Sequence, residues 1–238
     1  MLGHHLMRLL SQESKLDTVT NTGPHLLCRE EIIECLNGIQ PKFVINCVGY
    51  LGDDISKHKW TNEYFPKTVA QWCSDHGVSC VLISTNAVFP GGTERFWLPT
   101  DPVTPSAPYE CAKALGEEKS ARVIRVSFVG KSPHARNIYD RLTLGCPYVD
   151  RLWNGVTVLQ VAQYIAKLPL SNSDTPLTGI EHFHSPKPIR ISDIAHLLSS
   201  KSKCIGVAQS SPLLGGGQEQ PPFEEQLHDY EDWLRVHH

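Results

Sequence analysis

VLISTNAVFPGG (Val81–Gly92), followed after a proline-rich loop by PYECAKALGEE (Pro108–Glu118), decides how this chain is read. Val81, Leu82 and Ile83 make a short apolar run that ends on Ser84, Thr85 and Asn86. A buried parallel strand that delivers polar side chains at its carboxyl end has this pattern. Pro108 then opens a run of good helix formers, and Tyr109 and Lys113, four residues apart, share one face of that helix.

The spacing brings a hydroxyl, a phenol and an ammonium to one place. A free phenol has a pKa of about 10, and a neighbouring ammonium favours the phenolate. Tyr109 can then donate a proton to a carbonyl oxygen as hydride arrives, with Thr85, and Ser84 beside it, bonding that same oxygen. A Tyr and a Lys four apart are also an ordinary surface pairing. The pair gains weight from the strand-end Ser-Thr upstream and from a glycine-closed strand before that.

Working outward, Phe43–Val48 reads as a buried strand closed by Gly49, and Trp60–His76 as a long helix stopped by Gly77. Val78–Thr85 is the next strand, so strand, helix and strand form one parallel unit with a right-handed crossover. Arg122–Phe128 reads as a further strand, Val158–Lys167 as a helix and Gly179–His184 as a strand. Ile191–Ser199 and Phe223–Val236 read as helices, the last with Leu227, Tyr230, Trp233 and Leu234 facing inward. Gly215-Gly216-Gly217 neither follows a strand nor opens a helix, which excludes it as a phosphate loop. Upstream, Met1–Leu10 has a helical apolar stripe, Lys15–Thr20 and Pro24–Leu27 suit short strands, and Arg29–Leu36 suits a helix.

VINCVGYLG (Val44–Gly52), VLISTNAVFPGG, DPVTPSAPYECAKALGE (Asp101–Glu117), VIRVSFVG (Val123–Gly130) and LWNGVTVLQVAQYIA (Leu152–Ala166) occur in that order. Together they resemble the extended short-chain dehydrogenases, and within them the dTDP-4-dehydrorhamnose reductase family, over most of Met1 to about Ala195. The resemblance implies an α/β fold, a doubly wound parallel Rossmann sheet with a smaller C-terminal substrate-binding part. Residues 1–130 and the helix at about 156–168 would form the NAD(P)-binding domain, and 131–155 with 169–238 the smaller part. It implies NADP or NAD as cofactor and reduction of a keto group on a nucleoside-diphosphate 6-deoxy sugar. Thr85, Tyr109 and Lys113 would be catalytic. Gly3, Asn46, Cys47, Val48, Gly49, Ser84, Lys113, Ser127 and Phe128 would face the cofactor, and Asn86, Arg136 and Trp153 the substrate.

One departure stands out. Only Gly3 matches the family's glycine-rich turn, and the strand that should precede it is missing, although that strand lies mid-sheet in this fold. Three explanations stay open: a sequence begun inside its own cofactor motif, a relative that has lost dinucleotide binding, or another segment or chain filling the gap. A non-catalytic regulatory subunit and a nucleotide-sugar epimerase on the same scaffold are therefore the alternatives. A dehydratase fits less well, because Asn86 and Ala87 stand where that class carries an acidic pair.

Composition narrows the classes further. A net charge of −3 over 238 residues provides no basic field for nucleic acid. No apolar run approaches the roughly 18 residues of a membrane helix. The eight cysteines contain no C-x-x-C pair and the twelve histidines lack ligand spacing, so no metal site is expected. A cytoplasmic protein with reduced thiols, a small-molecule partner and the option of a homodimer is the expectation.

Overall fold

The computed structural model describes residues 1–12, 28–93, 95–132, 137–170 and 175–237. Five strands, β1 (Phe43–Asn46), β2 (Ser79–Thr85), β3 (Arg122–Val126), β4 (Gly179–His184) and β5 (Gln218–Glu219), form one sheet in that spatial order. Every pairing in it is parallel. Among the described residues β1 has a partner on one side only, β2. The two strands expected at Lys15–Thr20 and Pro24–Leu27 lie outside the described residues.

Alternation along the strands sends successive side chains to opposite faces, and each face has its own helices. Val81, Ile124 and Val126 pack on one side with α1 (Leu2–Leu10) and α5 (Val158–Lys167), through Leu2, Leu6, Leu10, Val161 and Ile165. Cys80, Leu82 and Val123 pack on the other side with α2 (Arg29–Ile39) and α3 (Phe65–Asp75), through Ile32, Val69 and Trp72. The expected doubly wound α/β sheet is therefore present. The C-terminal helix α6 (Phe223–His237) buries Phe223, Leu227 and Tyr230 and lies on α1, where Arg8 donates to the His237 carbonyl at 3.0 Å.

The helix expected from Trp60 starts earlier. Asp54 caps a short turn, Ile55–His58, by accepting from the Ser56 and Lys57 amides. A π-helical segment, Lys59–Tyr64, then leads into α3. Pro66 explains the widening: it has no N–H to give to the Asn62 carbonyl four residues back. The helix α4 (Pro108–Leu115) carries Tyr109 and Lys113, as its sequence predicts.

The strand Gly179–His184, read from sequence with the smaller part, pairs with β3 inside the central sheet, and β5 extends that sheet beyond it. The remaining strands are short ribbons. Tyr148–Asp150 pairs with Cys204–Val207, Leu152–Trp153 with Ile189–Arg190, Leu213–Leu214 with Phe96–Trp97, and Phe128–Val129 with Val156–Thr157. The triple glycine lets the chain cross β4 closely on its way to β5. A Cβ at Gly217 would lie 1.9 Å from the His182 carbonyl oxygen, which leaves no room for any side chain.

Candidate active site

The carboxyl ends of β1, β2 and β3 meet the N-terminal part of α4, the place where open parallel sheets hold ligands. Thr85 ends β2 and is buried. The phenol of Tyr109 sits beside it. Burial pushes that phenol above its ordinary pKa and the Glu110 carboxylate adds to the rise, while the Thr85 hydroxyl acts against it by favouring the phenolate. The structure therefore brings the phenol and the threonine together.

Lys113 is placed differently from expectation. Its Nζ donates to the Ile83 carbonyl at 2.6 Å, so the ammonium grips the strand one turn below the phenol. The expected lowering of the Tyr109 phenol by this ammonium is replaced by a rise, because burial dominates and the lysine is engaged with backbone. Burial also drives Lys113 itself down to about 8, against the opposing pull of Glu117. Lys113 lines a polar cavity of ≈ 10 Å³ with Asn46, Asn62, Ser84 and Glu117, about the space one water needs.

The residues expected to face the cofactor divide into two groups. Gly3 and Cys47 are neighbours: a Cβ at Gly3 would stand 3.4 Å from that of Cys47. Burial holds the Cys47 thiol up at about 12, so it is neutral. Asn46 turns its side-chain oxygen back to the Val48 amide at 2.9 Å, which shapes the bend that leaves Val48 exposed and leads to Gly49. Ser84 is committed elsewhere, donating to Glu117 at 2.6 Å on the face of β2 opposite Thr85. Ser127 accepts the Trp153 indole N–H at 2.8 Å, and Phe128 is half-buried against the core.

Two of the three substrate-side expectations need correction. Trp153 is 3% exposed and packs edge-on to Phe223, so its ring is core and offers no face to a sugar or base. Asn86 is buried and donates to the Pro212 carbonyl at 2.8 Å, anchoring a loop. Arg136 lies outside the described residues.

Two features adjoin the expected residues, with Asn62 the position at which the resemblance implies a structural Asn. His58 packs edge-on between Tyr50 and Tyr109, with ring centroids 5.0 Å and 5.7 Å away. Asn62 fixes that group: its oxygen accepts from the Tyr50 amide, and its nitrogen donates to the Tyr50 carbonyl and to His58 Nδ1. His58 and Asn62 are four apart, the spacing that could have linked them. The second feature is Glu117, eight residues after Tyr109 on the same stripe. Its carboxylate takes two hydrogen bonds from Arg125, at 2.9 and 2.7 Å. Among the described residues no group of His, Cys, Asp and Glu could hold a metal ion, and no helix is long and apolar enough to cross a membrane.

No curated protein matches the chain in sequence. Among solved structures it is similar to a dTDP-4-dehydrorhamnose reductase, an RfbD ortholog, from Clostridium acetobutylicum ATCC 824 (19% identity, 98% of this chain and 96% of that one, TM-score 0.80). It is similar to the Bacillus anthracis dTDP-4-dehydrorhamnose reductase solved with NADP (17%, 96% and 95%, TM-score 0.75). The Bordetella bronchiseptica enzyme WbmG, solved with NAD and UDP, is a further match (16%, 100% and 92%, TM-score 0.74). At these identities the likeness is one of fold, a Rossmann-type sheet. In sequence, residues 1–142 match the family described as RmlD substrate binding domain, which is more than half of the chain. The chain belongs to the RmlD substrate binding domain family.

Proposed function

We propose that the protein is an NAD(P)-dependent reductase of a keto group on a nucleoside-diphosphate 6-deoxy sugar, with Tyr109 as the proton donor. The observation that carries this reading is the Tyr109 phenol set beside the Thr85 hydroxyl at the carboxyl end of a central parallel strand. The family supports it, as do the NADP and the NAD with UDP held by the solved structures of the same fold.

The residues at the strand ends fit a dinucleotide. The N-terminus of α1 carries no acidic side chain in its first turn, and Gly3 presents bare backbone beside Cys47. A helix N-terminus of this kind favours phosphate. Gly3, the backbone of Asn46–Gly49 and Lys113 would hold the cofactor, which supplies the hydride.

The chain's own residues supply position and a proton. Burial keeps the Tyr109 phenol protonated near neutrality, the state that a donor needs in the reductive direction. Thr85 orients the carbonyl oxygen towards that proton. Lys113 ties α4 to β2 through the Ile83 carbonyl and so sets the phenol's height above the sheet. The engagement of Lys113 with backbone, away from the phenol, favours a second reading, a non-catalytic binding subunit. An epimerase on the same scaffold draws on no separate observation here.

Titration with NADPH and NADH, followed by turnover on a 4-keto-6-deoxy nucleotide sugar, separates the readings. Binding with turnover supports the reductase, and binding alone supports the subunit. Tyr109→Phe should lower turnover by roughly 10²–10⁴-fold with cofactor affinity spared. Turnover that survives this change removes Tyr109 from the mechanism.

A further inference from the structure

Tyr109, Lys113 and Glu117 recur at four-residue intervals along α4 and its closing turn, and each meets one of three successive residues at the end of β2. Tyr109 meets Thr85, Lys113 meets the Ile83 carbonyl, and Glu117 accepts from the Ser84 hydroxyl at 2.6 Å. The helix is thus fastened to the strand tip at three points. Glu117 is buried at its point: its side chain is 6% exposed, and that of its partner Arg125 is 4% exposed.

The pair also has a register. Ser84 lies opposite Arg125, and Arg125 opposite His182, so one buried polar row crosses β2, β3 and β4. Arg125 Nη1 lies 3.5 Å from His182 Nε2, and His182 Nδ1 faces the carbonyls of Trp97 and Gly215 at 3.0 Å each. A buried ion pair is weak evidence for stability alone, since apolar residues of equal volume often serve as well. Its place, directly beneath the candidate catalytic residues, calls for another reason.

We propose that Glu117 is the positioning residue of this site: its buried carboxylate, held by Arg125, sets α4 against the end of β2 and faces Lys113 with a fixed negative charge. The proposal rests on the reading of Tyr109 and Lys113 given above. It adds a third member to their stripe, one that acts through them and touches no substrate.

The groups around Lys113 leave Glu117 as the decisive one. From the end of β1 comes the Cys47 thiol, held neutral by burial. From α4 comes the Tyr109 phenol, raised and protonated. From β3 comes Arg125, bonded to both carboxylate oxygens of Glu117. The other residues of the cavity wall, Asn46, Asn62 and Ser84 among them, carry no charge. Burial favours the neutral amine of Lys113, and Glu117 opposes it most strongly.

Glu117→Gln keeps an acceptor for Ser84 and removes the charge. Because it leaves Arg125 buried without an anion, the double variant Glu117→Gln/Arg125→Met is made alongside it. In protein labelled with ¹³C-lysine, the Lys113 Cε signal, assigned by its loss in Lys113→Met, is titrated by NMR without cofactor. The midpoint should fall by about one pH unit in Glu117→Gln and by less in the double variant, where the Arg125 charge leaves with that of Glu117, and the alkaline limb of kcat should move down with it. Glu117→Asp, which keeps the charge, should hold the midpoint near that of the parent. A lower melting temperature with an unmoved midpoint would overturn the proposal and leave Glu117 as a structural ion-pair partner. If the parent shows no turnover, the reductase reading fails, while the NMR midpoint still decides the charge on Lys113.

Discussion

Lys113→Met offers the sharpest physical test, because the structure places the cost and the function of one side chain in opposition. The Lys113 ammonium is buried and its pKa stands at about 8 against an ordinary 10.5. That gap corresponds to about 3 kcal/mol of preference for the neutral amine in the folded protein. Between about pH 8 and 10.5 the unfolded chain holds a proton at Lys113 that the folded chain has released. Stability therefore rises with pH across that window, and below about pH 8 the folded protein carries the full penalty. Methionine fills similar volume without charge, so it removes the penalty. It also leaves the Ile83 carbonyl without its donor, which costs about 1–3 kcal/mol if that carbonyl stays dry. This second effect does not depend on pH. The slope consequently isolates the ammonium: the difference in unfolding free energy between parent and variant should change by about 3 kcal/mol from near pH 7 to about pH 10.5. Urea unfolding at a series of pH values measures it, with cofactor affinity expected to weaken in the variant. Parallel stability profiles across the window would refute the buried-ammonium argument.

Other substitutions probe the same geometry. Gly116→Ala would set a Cβ 2.2 Å from the Asn62 carbonyl oxygen, forcing α4 away from the π-helical segment; about 1–3 kcal/mol of stability should be lost, together with kcat, and unchanged urea midpoints would contradict the close approach. Burial holds His182 down at about 4, so its neutral form adds stability that is present above about pH 6.5 and disappears as pH falls through about 4. The full loss is about 3 kcal/mol, and His182→Gln should flatten this acid limb in denaturation profiles. Trp153→Phe should cost about 1 kcal/mol through the lost bond to Ser127 while leaving KM for the nucleotide sugar unchanged; a raised KM would return Trp153 to the ligand.

What the sequence made legible was whatever depends on short range. The helix Val158–Lys167 and the strand Gly179–His184 have the bounds read from their residues. Thr157 caps the helix through the Gln160 amide, and Gly179, at φ +93, opens the strand. The Tyr109 helix follows from Pro108 and its periodicity in the same way. Sheet membership was less legible, because β4 carries a pattern that suits either the central sheet or the smaller part. The two-residue ribbons have too few positions to show any period.

Side-chain destinations show the same division. Thr85 was recoverable because strand alternation fixes its face relative to Ile83. The fate of Ser84 depended on Glu117, that of Trp153 on Ser127 and that of Asn86 on Pro212, partners 33, 26 and 126 residues away. A polar residue at a strand end can face a ligand or satisfy a buried neighbour, and composition alone does not separate these states. Burial separates them, since a buried donor must find a partner within the protein. The cross-strand row of Ser84, Arg125 and His182 is the consequence. It commits Ser84, Arg125 and His182 to one another and to neighbouring backbone, and so separates them from Thr85, whose side chain lies on the opposite face of β2.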